Sequence, residues 1–161
     1  ELGLDSVHVS GETLGTRVAT RFAVEYPGRT KSLILNGPIA YSYPDGDSER
    51  ATQPQERIDS MKQHHGEDAA AINAFYLKLH ADPAFHDYFD LRKIGADVQA
   101  PALLMRGDVD DDRHPIAHAT DLHALMPNSR LQIFAHTNFN AMTNRPDESW
   151  ALIRALVADV G

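Results

Sequence analysis

Thr13 lies at the centre of a short stretch whose spacing suggests covalent chemistry, Gly11-Glu12-Thr13-Leu14-Gly15. An apolar run precedes it and an amphipathic pattern follows at once. The segment therefore reads as a sharp strand-to-helix turn of the G-x-S-x-G kind. Such a turn lifts its middle residue alone above the sheet. The flanking glycines let the chain bend and let helix and strand approach closely. The next N–H, that of Leu14, points from the helix N-terminus toward a developing oxyanion. Thr13 offers a hydroxyl nucleophile, although its extra methyl stiffens χ1 and crowds attack. Glu12 has the type of an acid or base.

A second chemical grouping is the acid run Asp108, Asp110, Asp111 and Asp112. A carboxylate here can orient a catalytic histidine, bind a hard cation or simply face solvent. No EF-hand spacing is present. The histidines are scattered. His64, His65 and His80 fall on expected helices, and His114, His118 and His123 on or beside a later one. His114 and His118 are four apart, a metal-binding spacing, but they do not form an H-E-x-x-H pattern. They read as ordinary surface histidines. No metal and no cofactor is expected.

Strands and helices must hold these groups. Apolar runs at Ser6–Ser10, Lys31–Asn36, Pro101–Arg106 and Arg130–Ala135 read as strands. Leu14, Val18 and Phe22 repeat at helical spacing, with Ala19 and Ala23 beside them, and that helix stops at Tyr26-Pro27-Gly28. Pro115 opens another helix, with Ile116, Ala119, Leu122 and Met126 on one face. Pro146, Asp147 and Glu148 open a third, with Trp150, Ile153 and Val157 facing inward. Strand–helix alternation implies a parallel sheet. Residues 41–97 break the rhythm. Tyr41 to Gln53 reads as a polar loop, and Gln55–His65 and Glu67–His80 as helices. The division expected is a core of residues 1–40 and 98–161, with a helical cap insertion at 41–97 over the ligand-binding edge of the sheet.

The stretch LDSVHVSGETLGTRVATRFAVEYPGRTKSLILNGP resembles the elbow strand, elbow, helix and following strand of the α/β-hydrolase family. PALLMRGDVDDD resembles that family's acid loop and RLQIFAHTNFNAMTNRPDE its histidine loop. The resemblance covers nearly all of the chain except the cap. It implies an α/β fold: the C-terminal half of an α/β-hydrolase, with mainly parallel strands flanked by helices. It also implies that Thr13 stands where the nucleophile is usually Ser. The base position, about seven residues before Pro146, falls on Phe139, and the usual Gly-His pair is Asn138-Phe139. Phenylalanine cannot accept a proton. His136, three residues earlier, is the candidate substitute. Asp110 matches the acid spacing best, and Asp111 fits if the loop is one residue longer.

A complete family member has further strands before the elbow strand, which is then paired on both sides. The strand at 6–10 is accordingly expected to be covered by an N-terminal half or a second subunit, since an open apolar edge invites pairing. The net charge of −8 argues against a nucleic-acid surface, and no apolar run is long enough to span a membrane. The absence of cysteine rules out disulfides and is compatible with a reducing compartment or any other; a cytoplasmic location is expected. Two functions compete. One is hydrolysis of an ester, lactone or related small acyl substrate with an altered triad. The other is a catalytically silent or repurposed domain holding a small apolar ligand or a partner chain. A third, triad-independent elimination or rearrangement, lies between them.

Overall fold

A computed structural model of the chain describes residues 3–41, 54–112 and 114–161. It divides into two compact units, residues 1–41 with 89–161 and residues 42–88. The first unit is built on one sheet of four parallel strands: β1 (Val7–Glu12), β2 (Thr30–Asn36), β3 (Ala102–Gly107) and β4 (Ser129–Phe134). They lie in chain order across the sheet, so β1 and β4 are its edges. β2 and β3 are almost wholly buried. Both read as unbroken apolar runs because each of their faces meets a helical layer.

Alternation along the strands sorts the core into two layers. Leu33, Leu35, Ala102 and Leu104 face one side, where they join Ala19 and Ala23 of α1 (Leu14–Glu25) and Leu122 of α5 (Ala117–Leu125). Ile34, Leu103 and Met105 face the other, against Ile153 and Leu156 of α7 (Pro146–Val160) and Ala141 of α6 (Ala141–Asn144). Helices on both faces and parallel strands between them place every strand's C-terminal end along one edge of the sheet.

The helix faces differ in part from the expectation. On α1 the sheet-facing residues are Thr16, Ala19, Thr20 and Ala23, while Val18 is 58% exposed. Small side chains let the helix axis approach the sheet. The larger apolar residues that mark the pattern in sequence occupy a different stripe. On α7, Ser149, Ile153 and Leu156 are buried and Trp150 is 48% exposed. Only Ile153 of the expected inward trio is fully buried there. Leu91, Ile94 and Val98 pack into the first core layer. They carry the chain back to β3 through two short 3-10 turns, Leu91–Lys93 and Gly95–Asp97, and the core accordingly starts earlier than residue 98.

The second unit holds α2 (Pro54–His65), α3 (Ala69–His80) and the short α4 (Pro83–Tyr88). Gly66, at φ 54°, ends α2 in a left-handed turn that a side chain would resist. Within the unit the Arg57 guanidinium lies 4.1 Å from the Tyr76 ring centre, and the His80 and Tyr76 rings are 4.0 Å apart. The polar loop read at 41–53 lies, apart from Tyr41, outside the described residues. No helix among the described residues is long and apolar enough to cross a membrane.

Candidate functional site

β1 ends at Glu12 and α1 begins at Leu14, so Thr13 alone makes the turn between them. Its backbone stands at φ 48°, ψ −117°. For a β-branched residue this is a genuine outlier, and holding it costs on the order of 1–3 kcal/mol. Hydrogen bonds on both sides fix the strained residue. Its N–H donates to the Asn36 carbonyl at 3.1 Å, and its own carbonyl accepts from the Thr16 N–H at 3.0 Å. The Thr16 hydroxyl donates to the same carbonyl. Leu14 is the first residue of α1, where an N–H has no acceptor within the helix. The turn thus presents a hydroxyl and a backbone donor side by side.

The two glycines of the motif are not equivalent. A Cβ on Gly11 would lie 2.4 Å from the Gly15 carbonyl oxygen, so only glycine lets β1 pass under the start of α1. A Cβ on Gly15 would meet nothing within 4 Å among the described residues.

The acid loop leaves β3 at Gly107. A Cβ there would fall 1.7 Å from the Thr137 carbonyl oxygen, which locks the acid loop against the loop after β4. Arg106 braces it from below. This arginine is 1% exposed, and its guanidinium donates to the carbonyls of Gly107 (2.6 Å), His114 (2.7 Å) and Val109 (2.9 Å). Burial pulls its pKa below the ordinary guanidinium value, while Asp110, Asp111 and Asp108 pull it back up. The acids divide their work. Asp110 Oδ1 accepts from the Ile116 N–H at 2.6 Å and lies 3.7 Å from Arg106. Asp111 Oδ1 accepts from the His114 N–H at 2.8 Å and lies 3.3 Å from its ring Nδ1. Asp108 Oδ1 accepts from the Thr137 N–H at 3.4 Å.

The loop after β4 carries Phe139 to the end of β2. A Cβ on Gly37, which has φ 56°, would lie 2.9 Å from Cδ2 of the Phe139 ring. The imidazole of His114 stacks on that ring, with centroids 3.7 Å apart and planes 14° from parallel. Around it runs a set of amides. Buried Asn36 donates to Asn140 Oδ1 at 2.9 Å, and Asn140 donates to Glu12 Oε1 at 2.6 Å. Asn138 Oδ1 accepts from the Asn140 N–H (2.9 Å) and from the Asn144 amide (2.7 Å). Glu12 therefore ties β1 to the β4 loop. His136 sits exposed after β4 at φ 56°. Among the described residues no hydrogen bond joins Thr13, Asp110 and His136 to one another.

Beneath the acid loop His118 is fully buried on α5, edge-on to Tyr41 with ring centroids 4.5 Å apart. Burial first, then the nearby Arg17 charge, pushes its pKa down to about 4, so the ring is neutral near pH 7. No group of three or more His, Asp or Glu side chains able to hold a metal ion occurs among the described residues.

Sequence reasoning named Thr13, Leu14, Glu12, Asp110, His136, Asn138 and Phe139. It passed over Arg106, Asn36 and Asn140, and it grouped His114 and His118 with the surface histidines, whereas His118 is 1% exposed. An arginine inside an otherwise apolar strand and an asparagine closing another were the available signals. Neither reveals a partner until the loops are closed.

No family model matches the chain. Its structure is similar to that of an N-acyl homoserine lactone degrading enzyme, with TM-score 0.69 and 18% identity, over 96% of this chain and 68% of that one. It is similar to a membrane phospholipase A described as a bacterial virulence factor, with TM-score 0.73 and 20% identity, over 99% of this chain and 59% of that one. A thermophilic esterase matches with TM-score 0.66 and 24% identity, over 97% of this chain and 67% of that one. This chain thus spans about two thirds or less of the length of each. The parallel sheet, the strained elbow at Thr13 and the loops after β3 and β4 together give this chain the α/β-hydrolase fold.

Proposed function

We propose that the chain carries the elbow, acid loop and histidine loop of a hydrolase acting on an ester, lactone or related small acyl compound, with Thr13 as nucleophile and the Leu14 N–H as oxyanion donor. The supporting observation is the backbone of Thr13. A β-branched residue held at φ 48° by hydrogen bonds on both sides is a costly arrangement. Strain of this kind concentrates at functional positions. Asp110, His136 and Phe139 remain the sequence-derived candidates for acid, substitute base and pocket wall. The open side of β1 is assigned to a further segment of polypeptide or a second copy, because an edge strand with unpaired backbone groups invites pairing.

The test is hydrolysis of short-chain nitrophenyl esters and small lactones by purified protein and by Thr13→Ala. Turnover that disappears in the variant supports the reading. Turnover equal in both removes Thr13 from the chemistry. A second reading, a silent domain that binds a small apolar ligand, draws support from the aromatic side chain at position 139. Absence of turnover in the wild-type protein, with saturable binding of an apolar ligand, would favour it.

A further inference from the structure

Position 139 is occupied by a ring that cannot take a proton, yet an imidazole lies flat on that ring. We propose that His114, stacked on Phe139 and tethered by Asp111, and not His136, supplies the base that Phe139 cannot. The inference rests on the hydrolase reading above and assigns a residue to its missing role.

Three features carry it. First, the stack is close, at 3.7 Å between centroids and 14° between planes, and the His114 side chain is only 13% exposed. A packed ring has a fixed orientation, as a base requires. Second, Asp111 Oδ1 stands 3.3 Å from Nδ1. A carboxylate on Nδ1 sets the tautomer that leaves Nε2 as the proton acceptor, and it stabilises the imidazolium once formed. Asp111 and His114 both belong to the loop after β3, so acid and base come from one loop rather than two. Third, the neighbourhood is right. Thr13 is hydrogen-bonded to Asn36 at the end of β2, the adjoining Gly37 abuts Phe139, and His114 covers Phe139. Arg106 holds the His114 carbonyl at 2.7 Å, which anchors the backbone from which the ring extends.

The step balances as follows. The proton on Thr13 Oγ1 passes to His114 Nε2 while Oγ1 bonds to the acyl carbon and the carbonyl electron pair moves onto oxygen. Collapse of that intermediate breaks the bond to the leaving alcohol, which takes the proton from Nε2. A water then gives its proton to Nε2 and its oxygen to the acyl carbon. Release of the acid returns the proton to Thr13.

Among the described residues, Asp111 lies against the His114 ring, Arg106 from β3 holds the His114 carbonyl, and His118 from α5 is close enough to feel the charge of His114. The experiment compares wild type, His114→Ala, His114→Gln, Asp111→Asn and Thr13→Ala on nitrophenyl esters across pH 5–9, with circular dichroism to verify folding. The expected result is a fall in kcat of about 100-fold or more in both His114 variants at little-changed KM, and loss of the acidic limb of the pH profile. Free imidazole restores part of the rate to His114→Ala. A purely structural stack predicts no such rescue by imidazole. Wild-type turnover that persists in folded His114→Gln overturns this inference and leaves the hydrolase reading standing. A wild-type protein without turnover overturns both.

Discussion

The backbone N–H of Thr13 donates to the carbonyl of Asn36 at 3.1 Å, so the last residue of β2 helps hold the elbow in its strained turn. Asn36 also donates its side-chain amide to Asn140, on the loop after β4. One buried residue therefore registers the turn at Thr13 against the loop that carries Phe139.

Strain at Thr13 has a measurable consequence. Thr13→Gly removes the Cβ that resists φ 48° and adds flexibility to the unfolded chain. Relief of about 1–3 kcal/mol exceeds the usual glycine penalty of roughly 0.5–1 kcal/mol, so the variant should be more stable by about 1 kcal/mol. Urea denaturation reads the difference. A lowered midpoint would mean that the turn is not strained. Any turnover should vanish in the same variant.

The glycines of the elbow make a matched pair of opposite sign. Gly11→Ala sets a Cβ 2.4 Å from a backbone oxygen that cannot step aside, and it should cost about 2–4 kcal/mol or prevent folding. Gly15→Ala meets open space in the first turn of α1 and should be neutral or stabilise by up to about 1 kcal/mol. Thermal melts of the two variants decide it. Equal destabilisation would contradict the geometry.

The contrast shows what sequence can and cannot give here. Both glycines fit one motif, and the motif alone cannot say which of them touches backbone. The strands were legible because β2 and β3 are buried on both faces and so carry unbroken Leu, Ile and Met. The inward stripe of α1 was legible only in part: Ala19 and Ala23 lie beside the apolar pattern, but Thr16 and Thr20 are small and polar and the larger Val18 draws the eye. Trp150 misled in the same way on α7. Thr13 stands out by its place in the elbow motif, whereas Phe139 is singled out only through the family resemblance. The stack of His114 on Phe139 joins two loops distant in sequence, so no local pattern encodes it.

Arg106 should be among the most sensitive positions outside the elbow. It meets three carbonyls from a site that excludes water, and hydrogen bonds to a charged group are worth about 1.5–3 kcal/mol each before desolvation is counted. Arg106→Met strands those carbonyls and should destabilise by about 3 kcal/mol or more. Arg106→Lys restores the charge but not the fork and should recover only part of the loss. Chemical denaturation measures both. Full recovery by lysine would show that charge, not geometry, is what the acid loop needs.

His118 gives the molecule an acid sensitivity of calculable sign. Its folded-state pKa is pushed down to about 4 by burial and by Arg17, against 6.5 for an unperturbed ring. The unfolded chain therefore binds the extra proton first as pH falls. Stability attributable to the neutral ring is present in full above about pH 6.5 and is lost progressively toward pH 4, by an amount on the order of 3 kcal/mol. His118→Phe keeps a ring against Tyr41 and removes the titration. Urea midpoints at pH 7.5 and 4.5 should then differ less in the variant than in the wild type. An unchanged difference would mean that other groups carry the acid response and that His118 is as easily protonated folded as unfolded.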